Sequence, residues 1–191
     1  MTIQEEKLRS AKSYKLLLLF AMLSMTMMFG GLTSAFIVSK SRVDWLKDFE
    51  MPTAFFISTA VIIACSITIH LAKKAISKNN RTLTTVMLLA TFGLSVLFIV
   101  TQFLGFGQLV KMGYFVTGSK SNITTTFLYV VAFLHLLHLA GGIISLLITI
   151  YNHFKQKYNS TQFIGIELSA MYWHFLDILW VYLFLFLYFF K

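Results

Sequence analysis

Five apolar runs, each about as long as a bilayer is thick, constrain this chain more than any other feature. A helix needs about 20 mostly apolar residues to cross a hydrocarbon core of roughly 30 Å, at a rise of about 1.5 Å per residue. The runs cover residues 16–38, 52–72, 83–107, 123–151 and 168–190. Pro52 opens the second, where a missing N–H costs nothing. A membrane barrel would instead show ~10-residue segments alternating apolar and polar, and here the polar residues gather in short connections. The sequence therefore predicts an all-α polytopic membrane protein, a five-transmembrane-helix bundle forming a single membrane domain over residues 1–191.

Composition closes off the alternatives. Hydrophobic residues make up 58% of the chain and charged residues only 12%, against about 25% charged in a soluble domain. Disorder and a disulfide scaffold are excluded, and Cys65 is the lone cysteine, so it has no internal partner. The opening MTIQEEKLRSAKSYK is polar and mixed in charge, and the run after it is long enough to span. It is expected to stay as a mature helix rather than be cleaved as a signal.

The net charge of +9 does not point to nucleic acid, because the basic residues sit at the ends of the apolar runs. That placement suits anionic lipid and sets orientation. One side carries Lys7, Arg9, Lys12, Lys15, Lys73, Lys74, Lys78, Arg81, Lys155 and Lys157; the other carries Lys40, Arg42, Lys47, Lys111, Lys120 and Lys191. The positive-inside rule puts the N-terminus in the cytoplasm and the C-terminus outside. Ser119 would then be reachable from outside and Asn79 would not.

Ionisable residues inside a bilayer are costly and therefore informative. His135 and His138 fall in the fourth run and share a side of it; His174 and Asp177 fall in the fifth, with Glu167 at its entrance. At 100° per residue, Glu167 and His174 lie about 20° apart and Asp177 about 60° further round, so the three line one side. His138 and Asp177 come out at comparable depths, which allows a pairing of His138 with Asp177 or His174. Three readings are open: a polar zipper between helices, a proton relay, or a haem or copper site. The spacing is diagnostic of none of them. Met22, Met25, Met27 and Met28 read as packing filler, and Gly30–Gly31 and Gly141–Gly142 as packing glycines.

The fifth run contains YWHFLDILWVYLF, from Tyr172 to Phe184. It resembles the YWHFVDxxWLxLF signature of subunit III of haem–copper terminal oxidases, with Glu167 matching the preceding glutamate. FLHLLHLAGG (Phe133–Gly142) is similar to the family's GxHGLHVxxG, with His135, His138 and Gly142 in register. STAVIIACSITIHLA after Pro52 resembles NTxxLLxSSxTxxxA, and LSVLFIVTQ, ending at Gln102, resembles LGxxFxxxQ. The match spans all five runs and fits the short form without the first two helices. Two positions depart from it: Met25 follows Ser24 where the family has Ser-Glu, and Gly105 replaces an acidic residue.

The resemblance implies a non-catalytic membrane subunit of a proton-pumping cytochrome c or quinol oxidase in a bacterial cytoplasmic (inner) membrane. Haem and copper would reside in subunits I and II and not in this chain. The chain would pack on subunit I, hold phospholipid in a cleft between its first two helices and the rest, and support assembly, proton uptake and turnover stability. Glu167, His174, Asp177, His135 and His138 would form a polar seam facing the bundle. Trp173 and Trp180, seven residues apart and hence on nearly one face, are expected with Tyr172 to contact lipid or subunit I. A small transporter and a standalone haem-binding membrane cytochrome are the rival classes.

Overall fold

The computed structural model describes residues 3–43, 45–46, 50–118 and 122–190. Lys47, Lys120 and Lys191 of the orientation count, and the labelling position Ser119, lie outside the described residues. Five helices follow in order: α1 (Ile3–Val38), α2 (Thr53–Ser77), α3 (Arg81–Lys111), α4 (Ile123–Phe154) and α5 (Ile164–Phe189). All five are long and apolar enough to cross a membrane.

Each helix extends past its apolar run at one end or both, and polar caps fix where α3 and α4 begin. Asn80 accepts a hydrogen bond from the Leu83 amide at 3.0 Å and starts α3; Asn122 does the same for Thr125 and starts α4. Asn79 (φ 59°) takes the left-handed turn that ends α2, a conformation asparagine tolerates, while the Asn80 amide donates to the Ala75 carbonyl. Helix α1 begins thirteen residues before the apolar run. Glu5 and Glu6 in its first turn favour its positive dipole end. At about 54 Å it exceeds the hydrocarbon core, so its first turns project beyond the membrane.

Helices α2 and α3 form the tightest pair, zipped by small polar residues. Thr91 donates to Thr68 (2.9 Å), Gln102 Nε2 to Ser58 (2.9 Å), and the Ala54 amide to Gln108 Oε1 (3.2 Å). Such contacts are worth roughly 0.6 kcal/mol each in a bilayer, so several are needed to register a pair. Helix α5 is the hub: it packs on α1, α2 and α4, while α3 joins α2 to α4. The first two helices therefore do not stand apart as a unit. Helix α2 is built into the bundle, and α1 lies on the α4–α5 side. The exposed Ile178 and Leu185 of α5 lie on a strip between the side that meets α1 at Tyr182 and the side that meets α2 at His174.

Several side-chain expectations are corrected here. Trp173 is fully buried and Trp180 is 3% exposed, so both face the interior of the bundle rather than its surface. Both flank Asp177 on the same helical face (173, 177, 180), and burying the carboxyl carries them inward with it. Tyr172 is half-buried; its hydroxyl donates to the His138 carbonyl at 3.0 Å, and its ring packs over Gly142. Gly141 and Gly142 thus do serve α4–α5 packing, whereas Gly30 and Gly31 have no atom within 4 Å of where a Cβ would stand. Met27 is 72% exposed and thus lies on the surface of the bundle.

The α4–α5 connection is held by Tyr158. Arg81 Nη2 donates to its carbonyl at 2.9 Å, and its hydroxyl lies where a Cβ on Gly165 would project. Burial pushes the phenol above its ordinary pKa despite opposing hydrogen bonds with Asn152 and Thr149. Gly165→Ala should therefore cost about 1–3 kcal/mol through overpacking. Tyr158→Phe should recover part of that loss in a thermal-unfolding comparison of single and double variants; equal losses with and without Tyr158→Phe would refute the contact.

Candidate functional site

Helices α2 and α5 run antiparallel, and the polar residues of α5 meet α2 along the whole interface. At the basic end of the bundle, Glu167 pairs with Lys15 of α1 at 2.8 Å and with Lys73 of α2 at 3.7 Å. Two turns further in, His174 Nδ1 is hydrogen-bonded to Ser66 Oγ at 2.7 Å, and its ring lies 6.0 Å from that of His70. Asp177 follows, 3% exposed, beside Cys65 and Ser66 of α2. Beyond it Trp180 Nε1 donates to Thr59 Oγ1 at 3.2 Å. Asp177 stands thirteen residues from the start of α5, or about 20 Å.

The structure thus brings Glu167, His174 and Asp177 together on one side of α5, but against α2. The histidines of α4 lie elsewhere. His135 is fully buried between Phe98 and Trp180, with ring centroids 6.0 and 5.1 Å away, and neither ring nitrogen has a hydrogen-bond partner among the described residues. His138 Nδ1 bonds to the Leu134 carbonyl of its own helix at 2.7 Å, and its ring meets the edge of Phe29 on α1. The pairing of His138 with Asp177 or His174 does not occur. Helix α4 turns His138 toward α1, because its contact with α5 is made instead by Gly142 and the ring of Tyr172.

Lys15 of α1 and Thr59 of α2 escaped the sequence reading as partners, and so did Ser66, His70 and Lys73 of α2. The spacing of Ser66, His70 and Lys73, four and three residues, places these three along one helical face, and that signal was available. Which helix they faced was not. Some buried polar atoms have no hydrogen-bond partner among the described residues. They include both carboxyl oxygens of Asp177, Ser169 Oγ, Trp173 Nε1 and Gln102 Oε1. Among the described residues, no three His, Cys, Asp or Glu side chains are arranged to hold a metal ion.

The ion pair at the basic end is partly solvated, with side chains 38% and 25% exposed for Lys15 and Glu167. Glu167→Gln should lower stability by about 1 kcal/mol or less, and the loss should shrink as salt screens it. Thermal melts at low and high ionic strength check this. A salt-independent loss would assign Glu167 a packing role instead.

The fold and this interface define a multi-pass helical membrane protein whose polar residues bind helix to helix. A family model described as cytochrome c oxidase subunit III matches residues 8–191. The chain belongs to the cytochrome c oxidase subunit III family. It is 28% identical over 175 residues to a cytochrome c oxidase subunit 3 of Thermostichus vulcanus, covering 90% of this chain and 84% of that one. It is 31% identical over 144 residues to the corresponding protein of Petromyzon marinus, covering 75% of this chain and 51% of that one. For the Spodoptera frugiperda protein the figures are 29% over 143 residues, with 73% and 89% covered. The chain thus spans about half the length of several relatives it matches, Petromyzon marinus among them.

The two departures from the family pattern have different surroundings. Met25 is half-buried on α1. Gly105 is buried, and a Cβ there would lie 2.8 Å from the Phe55 ring. Phe55 itself is 2% exposed and wedged among Phe106 and Trp180.

Proposed function

We propose that this chain serves as the non-catalytic subunit III of a respiratory oxidase that reduces oxygen to water. It packs on subunit I, with haem and copper held by subunits I and II. The observation that carries this reading is the family match over residues 8–191, which includes all five helices. Assembly, proton uptake and endurance during turnover are the roles it supports, as one membrane domain of a bacterial cytoplasmic membrane.

Lipid is part of the reading. The strip of α5 between α1 and α2 forms an apolar floor, Met171, Ile178 and Leu185 falling within about 40° of one another. Lys15 and Lys73 converge at its basic end. Acyl chains fit such a floor, and the two ammonium groups suit an anionic headgroup.

Affinity purification of the tagged chain from its own membranes tests the assignment. Oxidase subunits I and II, with haem and copper in proportion, should accompany it. A chain that purifies alone with its own stoichiometric haem would make it a membrane cytochrome, and one that purifies alone and moves a solute in vesicles would make it a transporter. Orientation follows from the basic residues. A cysteine at Asn79 should resist a membrane-impermeant reagent added outside, and one at Thr117 should react. Native Cys65 is fully buried and should give no background. The reverse labelling pattern would invert the topology.

A further inference from the structure

We propose that Asp177, Ser66, His174 and His70 form a proton-exchange site, in which the buried Asp177 carboxyl communicates with the basic end of the bundle through the Ser66 hydroxyl and the His174 imidazole. Three observations carry it. Asp177 has neither solvent contact nor a hydrogen-bond partner among the described residues, so its proton has no direct exit. Ser66 is the α2 side chain that acts on that carboxyl, and its hydroxyl is hydrogen-bonded to His174 Nδ1 at 2.7 Å. His174 is only half-buried, and its ring faces the exposed His70, 6.0 Å away, one helical turn from Lys73 at the basic end.

Chemically, each member can both give and take a proton at the atom the geometry presents. Starting from the imidazolium, His174 releases Nδ1–H to Ser66 Oγ while the Ser66 hydroxyl proton passes to the Asp177 carboxylate. The transfer requires Asp177 to rotate about its side-chain bonds until its carboxyl meets Ser66 Oγ. His174 is left neutral with its proton on Nε2, Asp177 is left as the acid, and Ser66 is unchanged. His70, or water that reaches it at the basic end, then reprotonates His174. The charged and titratable groups around the site are Cys65, His70 and Lys73 from α2, Glu167 on α5 itself, and Lys15 from α1 through Glu167. From α4 the site meets Gly142 and, by way of Tyr172, the His138 carbonyl.

This deepens the proton-linked part of the subunit reading and can be tested apart from it, since the measurement needs no oxygen reduction. Infrared spectra of the purified protein, with whatever partners accompany it, are recorded as a function of pH and after dilution into D2O. A carboxylic C=O band that Asp177→Asn removes should shift in D2O. Ser66→Ala and His174→Phe should each slow that shift by about tenfold or more, and Ser66→Thr, which keeps a hydroxyl, should restore the parent rate. If Ser66→Ala does not fold, His174→Phe and Ser66→Thr still decide the matter. Exchange as fast in Ser66→Ala or His174→Phe as in the parent, or no band lost in Asp177→Asn at any pH, would overturn the site. Either result leaves co-purification with oxidase subunits, and hence the subunit assignment, to be judged separately.

Discussion

Gly105→Glu, which restores the acidic residue that the family pattern carries there, is expected to abolish accumulation of the folded chain. The reason is steric before it is electrostatic. Even a single Cβ at Gly105 would lie 2.8 Å from Cε1 and 3.1 Å from Cζ of Phe55. That ring is not a free end: it meets Phe106 at 6.1 Å and Trp180 at 6.2 Å between centroids. Overpacking alone should cost about 1–3 kcal/mol. An acidic side chain there lies six residues from the end of α3, so it adds less than the roughly 2.5–3.5 kcal/mol that insertion scales give at a helix centre. Gly105→Ala should show the steric part alone, and Phe55→Ala should relieve it, with a coupling of about 0.5–3 kcal/mol between the two positions. Unfolding midpoints of the purified chain in detergent give all these values. A Gly105→Glu chain as abundant and stable as the parent would show that the Phe55 ring yields easily.

The second large effect is expected at Trp173, the largest fully buried side chain of the bundle. Helix α5 carries it into the contact with α4, where its ring lies 3.6 Å from the Cβ position of Gly142. Truncating a buried aromatic costs about 3–5 kcal/mol in soluble cores. Much of that is lost van der Waals contact, and this part persists in a bilayer, where packing rather than water exclusion holds helices together. Trp173→Ala should therefore separate α4 from α5 and sharply lower the unfolding midpoint in detergent. Trp173→Phe should cost less, since the indole N–H it removes has no hydrogen-bond partner among the described residues. A Trp173→Ala chain with the parent's midpoint would place the α4–α5 contact elsewhere.

Five spanning helices were legible from the apolar runs, because in hydrocarbon every backbone polar group must be satisfied within its own helix. That rule needs only local sequence. Motif resemblance likewise placed the chain in its family before any geometry, through the order of Trp173, His174, Asp177 and Trp180. Helical periodicity put Glu167, His174 and Asp177 on one side of α5, and that too holds in the structure. What periodicity could not supply was the neighbour. Helix ends depend on caps such as Asn80 and Asn122, whose effect lies in hydrogen-bond geometry rather than in hydropathy. The choice of α2 over α4 as the partner of His174 and Asp177 was made by packing. Gly142 lets Trp173 and Leu176 sit against α4, so the remaining polar side of α5 turns to Ser66, His70 and Lys73. Lipid-facing and bundle-facing aromatics look alike in a sequence, since a hydrocarbon exterior rewards the same residues as a hydrocarbon core. The tertiary structure alone decided that Trp173 and Trp180 are interior.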